Sequence, residues 1–182
     1  MCVDGPAGSG KTTLGRDLGA ATGARVVHMD DLYDGWTGLD RVADQLETVL
    51  RPLAEGRSGR YRRFDWDAGA YAETVEVPVP DAGPGAGGLL VLEGVGSGSR
   101  ICADLHTVLV WIEAPIDVRL RRGLDRDGEE LREQWLAWQV AEQAHFERDA
   151  TRARADLVLD GTAARTPPAA GSGGDRVGPW PQ

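Results

Sequence analysis

The stretch Val3-Asp4-Gly5-Pro6-Ala7-Gly8-Ser9-Gly10-Lys11-Thr12-Thr13 decides the reading of this chain. Residues 5–12 satisfy the pattern G-x-x-x-x-G-K-[ST], a loop that cradles phosphate. Glycine at positions 5, 8 and 10 lets the backbone wrap closely, with its N–H groups turned onto phosphate oxygens. A helix starting at Lys11 and running to about residue 21 aims its positive end at the same anion. Lys11 is a compact, mobile point charge that can follow a transferring phosphoryl group, where a planar guanidinium would not fit. It is also the sole lysine among the 20 basic residues, the rest being arginine. Thr12 is placed to offer its hydroxyl to a magnesium ion. The candidate nucleotide contacts are therefore Gly5, Ala7, Gly8, Ser9, Gly10, Lys11, Thr12 and Thr13. A glycine-rich turn without a ligand is the plain alternative; the Val3-Asp4 segment before it and the helix-forming run after it favour the nucleotide. The strand leading in has only Met1 to Asp4 to draw on, fewer than the roughly five residues usual for a strand.

Working outward, 24–29 (ARVVHM) reads as a second buried strand, and the apolar spacing of 39–54 predicts an amphipathic helix. Residues 60–79 alternate and are rich in aromatics and valine, which predicts an antiparallel pair, and 81–88 (DAGPGAGG) reads as a flexible loop. Buried strands follow at 89–92 and 107–112, an arginine-rich helix at 117–124, a long helix from 129 to about 154 and a last strand at 156–159. The Pro-, Gly- and Ala-rich run 163–182 is expected to be disordered, leaving 1–162 as one domain. Strands alternating with helices predict a parallel sheet covered on both faces, so the expected class is an α/β P-loop NTPase, a three-layer sandwich with an arginine-rich lid.

Ligands of such sheets sit beyond the carboxyl ends of the strands. Asp30 and Asp31 follow the second strand and Glu93 closes LLVLE, the position of a carboxylate that holds magnesium beside Thr12. A kinase acting on an alcohol needs a base in line with the γ-phosphate, and Asp30 is the candidate, with Tyr33 walling the substrate. The competing readings are a helix N-cap for Asp30 or Asp31 and a turn cap for Glu93. Among Arg119, Arg121, Arg122 and Arg126, positions 119, 122 and 126 share a helical face; Arg122 and Arg126 are the expected lid residues over the phosphates, Arg119 less so, against the alternative of a solvated face. Trp135 and Trp138 read as core, the three histidines have no partner at metal-ligand spacing, and Cys102 reads as a small buried residue.

With 29 acidic against 20 basic residues the formal charge is −9, the reverse of a duplex-binding protein, so no nucleic-acid partner is expected. No apolar run approaches the roughly 20 residues of a membrane span, so no membrane partner is expected either, and the chain reads as soluble and cytoplasmic. An Asn-Lys-x-Asp guanine-reading motif is excluded by the single lysine.

The segments GPAGSGKTT (5–13), MDDLY (29–33), LLVLEGV (89–95) and RLRRGLDRDG (119–128) together resemble the uridine kinase group of P-loop kinases. The resemblance covers residues 3 to 161. It implies an ATP- and Mg2+-dependent phosphotransferase in which Asp30 takes the proton of a pyrimidine nucleoside 5′-hydroxyl, Tyr33 lines the pocket, and Glu93 stands on the magnesium side. By the same likeness Phe64-Asp65-Trp66 packs against the nucleobase, with an aromatic mini-cluster under a loop as the plain reading. The chain departs from the group at Asp67, Ala68 and Gly69, where a histidine is usual, which leaves other small alcohols open as acceptors. A nucleotide-gated switch is the reading from another class.

Overall fold

The computed structural model describes residues 1–80 and 88–163. The loop expected from residue 81 falls outside the described residues up to 87, as does the terminal run from 164.

Five strands form one parallel sheet: β1 (Cys2–Asp4), β2 (Arg25–His28), β5 (Leu90–Glu93), β6 (Leu109–Glu113) and β7 (Leu157–Asp160), in the order β2-β5-β1-β6-β7. The first strand has three residues, yet it is the centre of the sheet. Its shortness is tolerated because Cys2 pairs with both Leu92 and Leu109, so the neighbours supply the ladder on each side. Side chains alternate across the sheet as strand geometry demands. Cys2 joins Leu92, Leu109 and Trp111 on one face; Val3 joins Val91, Val110 and Ile112 on the other.

Helix α1 (Lys11–Thr22) covers the second face with Leu14 and Leu18. The first face is covered by α2 (Val42–Ala54) through Val42, Leu46 and Val49, and by α4 (Arg132–Asp149) through Trp138 and Phe146. This is the expected three-layer α/β arrangement. A separate antiparallel hairpin, β3 (Gly59–Asp65) and β4 (Ala70–Val77), lies along α2, where Gln45 exchanges hydrogen bonds with both backbone groups of Arg62. Helix α3 (Ile116–Asp127) follows β6. The expected single helix from 129 to 154 is divided: a 3-10 turn (Glu129–Leu131) precedes α4, and Ala150 at φ 49 separates α4 from α5 (Thr151–Arg154). The helix expected over 39–54 likewise opens with a 3-10 stretch, Gly35–Arg41.

Candidate active site

The loop between β1 and α1 meets the ends of β5, β6 and β7. Two of its glycines are fixed by close approach. A Cβ on Gly5 would lie 2.0 Å from the Ile112 carbonyl oxygen, and one on Gly8, at φ +77, would lie 2.5 Å from the Arg119 carbonyl oxygen. Both obstacles are backbone, so no side chain can step aside. Ser9 is fully buried and its hydroxyl has no hydrogen-bond partner among the described residues. Gly10 stands as the N-cap of α1 and Lys11 is its first residue, which directs the helix N-terminus into the loop. Thr13 is exposed on that first turn.

Lys11 is buried and its Nζ donates to the Pro6 carbonyl at 2.9 Å. Burial lowers its pKa, opposed by the carboxylates of Glu142, Glu93, Asp4 and Asp30. Thr12 Oγ1 donates to Glu93 Oε2 at 3.3 Å, so the hydroxyl and carboxylate expected to hold magnesium converge at the end of β5. The other Glu93 oxygen bonds His28 Nδ1 at 2.5 Å, and that bond raises the histidine pKa. Two hard oxygens fit magnesium, which takes one or two protein ligands and completes its shell with phosphate and water. Among the described residues no three His, Cys, Asp or Glu side chains gather as a metal cage.

Asp30 lies in a 3-10 turn (Met29–Asp31) after β2 and is exposed to solvent. The surrounding protein pushes its carboxyl upward, as does Glu93, while Arg126, Lys11 and His28 pull it back. Sequence-distant groups named as candidates thus act on one carboxyl. Asp31 turns aside and accepts from the Tyr61 hydroxyl at 3.3 Å.

The aromatic candidates divide. Trp66 is 41% exposed and donates its indole N–H to the Asp30 carbonyl at 2.9 Å, so it stands beside Asp30. Phe64 is buried and packs edge-on against Trp66. Tyr33 corrects the expectation: it is 2% exposed, donates to the Val95 carbonyl at 2.7 Å and packs edge-on against Trp138. It is a core residue, because the chain turns inward at Leu32 and Tyr33 as it leaves the 3-10 turn. Trp36, which follows Tyr33 by three residues, is half-buried. Its ring meets Trp66 at 5.7 Å, Trp138 at 6.1 Å and Trp135 at 6.2 Å, making an indole wall across three elements. A tryptophan in the polar run Asp34-Gly35-Trp36-Thr37-Gly38 was the available sequence signal.

The arginines also divide. Arg119 is buried and bonded to Glu142, Ala7 and Ala114, so it belongs beneath the loop and not to a lid. Arg122 is exposed and donates to the carbonyls of Gly8 and Gly161 at 3.1 Å each. Arg126 holds Asp127 at 2.6 Å with its guanidinium 5.8 Å from the Trp135 ring centroid, and its charge reaches Asp30 and Glu93. Three residues unmarked by sequence reading complete the surroundings: His28, Glu142 and Asp4. Buried Asp4 accepts the N–H groups of Gly5, Gly96 and Gly98, tying the start of the loop to the segment after β5.

No model of a known protein family matches the chain. It is 32% identical over 174 residues to shikimate kinase 2 of Salmonella paratyphi B, and equally to that of Salmonella typhimurium, with 90% of each chain covered. Among solved structures it is similar to a "Possible Uridine Kinase" from Bacillus stearothermophilus, with TM-score 0.57, 21% identity and coverage of 87% of this chain and 86% of that one. The latter likeness concerns the fold. Taken with the phosphate loop, the identity to the Salmonella enzymes shows that the chain belongs to the P-loop kinase family that includes the shikimate kinases.

Proposed function

We propose that the protein transfers the γ-phosphate of ATP, with Mg2+, to the 5′-hydroxyl of a pyrimidine nucleoside, uridine or cytidine. The observation that carries this reading is the meeting at Asp30: a carboxyl within the fields of Lys11, Glu93 and Arg126, with the Trp66 indole bonded to its own backbone carbonyl. A base must stand where the acceptor hydroxyl meets the phosphate, and an aromatic face beside it suits a planar base. The loop amides and Lys11 hold the phosphates, and Thr12 and Glu93 would hold the metal. Bound magnesium neutralises charge on the phosphate oxygens. Asp30 accepts the hydroxyl proton; its upward-pushed pKa suits a group that must bind a proton in one step and release it later. Arg126 and Arg122 stabilise charge on the transferring group. Trp66, Trp36 and buried Phe64 shape the acceptor pocket.

A second reading keeps the chemistry and changes the alcohol. It is favoured by the identity to enzymes named shikimate kinase 2. ADP release from MgATP, measured with uridine, cytidine, other ribosides, sugars and shikimate, separates the two. Stimulation by a pyrimidine nucleoside is the expected result, and stimulation confined to shikimate or another alcohol overturns the nucleoside assignment. With the stimulating acceptor, Asp30→Asn should lower kcat by about 100-fold or more while ATP affinity stays within about twofold, the span of general-base catalysis. Retained turnover would remove Asp30 from the role of base.

A further inference from the structure

Beneath the phosphate loop lies a buried ion pair that the transfer chemistry does not itself use. Glu142 on α4 is 2% exposed and Arg119 on α3 is 8% exposed, and Arg119 Nη1 donates to Glu142 Oε1 at 2.8 Å. Two bonds tie the pair to a single residue of the loop. Glu142 Oε2 accepts the Ala7 N–H at 2.7 Å, and Arg119 Nη1 donates to the Ala7 carbonyl at 3.3 Å. Arg119 is itself anchored by its Nε on the Ala114 carbonyl at 3.0 Å.

A trans peptide points its C=O and N–H in opposite directions. With the Ala7 N–H drawn to Glu142, the Pro6 carbonyl of the same peptide must face the other way, and there it receives Lys11 Nζ at 2.9 Å and the Ser9 N–H at 3.2 Å. With the Ala7 carbonyl drawn to Arg119, the Gly8 N–H must face away from Arg119. Two adjacent peptides are therefore held in opposite polarity from outside the loop. Gly8 has no Cβ to resist a flip of its flanking peptides, and at φ +77 it already occupies the region glycine visits freely. The loop's own bonds hold the Pro6 carbonyl, and α4 and α3 hold the Ala7 N–H and carbonyl from outside.

We propose that Glu142 and Arg119 are positioning residues for the phosphate loop, setting which backbone groups around Ala7 face the nucleotide and where Lys11 rests. The inference rests on the kinase reading, since it presumes that the loop binds ATP. Glu142 also heads the carboxylates that oppose the lowering of the Lys11 pKa by burial, which supports the same role.

Removing one member of a buried pair strands the other charge, so single alanine variants lose folding as well as function. Replacing both by apolar residues of similar volume is often neutral for stability. The test is therefore the double variant Arg119→Met with Glu142→Leu, beside Glu142→Gln, which keeps an acceptor for Ala7 but loses the charge. ATP and ADP binding are measured by calorimetry without acceptor, thermal unfolding by circular dichroism, and KM for ATP and for acceptor by turnover. The double variant should unfold within a few degrees of the wild type, bind ATP at least tenfold more weakly, and keep its acceptor KM within about twofold. Glu142→Gln should fall between the two in ATP affinity. Wild-type ATP affinity in a folded double variant overturns the proposal. If the double variant does not fold, Glu142→Gln decides, and unchanged ATP affinity there overturns it equally. Absence of ATP binding by the wild-type chain would instead overturn the kinase reading beneath it.

Discussion

Asp4 is a carboxylate with no solvent and three N–H donors, and the two influences oppose each other. Hydrogen bonds from Gly5, Gly96 and Gly98 favour the anion, whereas burial disfavours it and prevails, raising the pKa from 3.8 to about 6. A carboxyl whose folded pKa lies above its unfolded value binds its proton more tightly in the fold. Its stabilising contribution is complete below about pH 4 and is withdrawn as pH rises through 6. At most ~3 kcal/mol is involved, two units at about 1.4 each. Urea unfolding of the wild type should therefore show stability declining between pH 4 and 7 relative to Asp4→Asn, which carries no titrating group there. A wild type that gains on the variant across that window would show the N–H donors prevailing over burial. Nothing in the Val-Asp-Gly order near residue 4 announces this role, because two of the three donors lie more than ninety residues away.

At the scale of elements, α3 and α4 meet where Gly123 faces Trp135: a Cβ at 123 would lie 2.3 Å from the indole ring. The ring is held next to that contact, since Trp135 Nε1 donates to Asp127 Oδ2 at 3.0 Å, so it cannot swing clear at no cost. Gly123→Ala should lower stability by about 1–3 kcal/mol through overpacking, despite alanine's better helix propensity. A variant at or above wild-type stability in denaturant titration would show the two helices free to separate. The elements themselves were legible wherever their signal was local. The alternation of buried strands with helices, the hairpin of 59–77 and the Lys11 helix all follow from spacing within a dozen residues. The break at Ala150 was not legible, because an alanine at positive φ leaves no mark in composition. Tyr33 misled for a related reason: an aromatic residue three positions after a catalytic candidate reads as pocket, but the turn at Leu32 sends it into the core. The contacts of Glu142 and Arg119 with the loop were not legible because they are long-range, the Ala7–Glu142 bond spanning 135 residues and the Ala7–Arg119 bond 112.

Over the whole molecule, the phosphate loop is a place where stability is given up for binding. Lys11 is an ammonium group buried to 6% exposure, and its lowered pKa records the cost of keeping that charge away from water. Ser9 adds a buried hydroxyl without a partner among the described residues. A ligand that satisfies both stabilises the folded chain by mass action, by about 2.7 kcal/mol when present at 100 times its dissociation constant. For a domain of this length that corresponds to a rise of roughly 5–10 °C in the unfolding midpoint. Lys11→Met retains the hydrophobic stem and removes the charge, and the Pro6 carbonyl keeps the Ser9 N–H as a partner. The variant should unfold at or above the wild-type temperature without nucleotide, and should gain less than about 2 °C when MgATP is added. Two scans per protein settle it. A variant that is less stable alone would show Lys11 acting as a structural tie through Pro6, and one that keeps the full MgATP shift would show the phosphates held by backbone amides without the lysine. The expected pair of results, stability gained and binding lost by the same substitution, is what a charge preserved in the core for its ligand must produce.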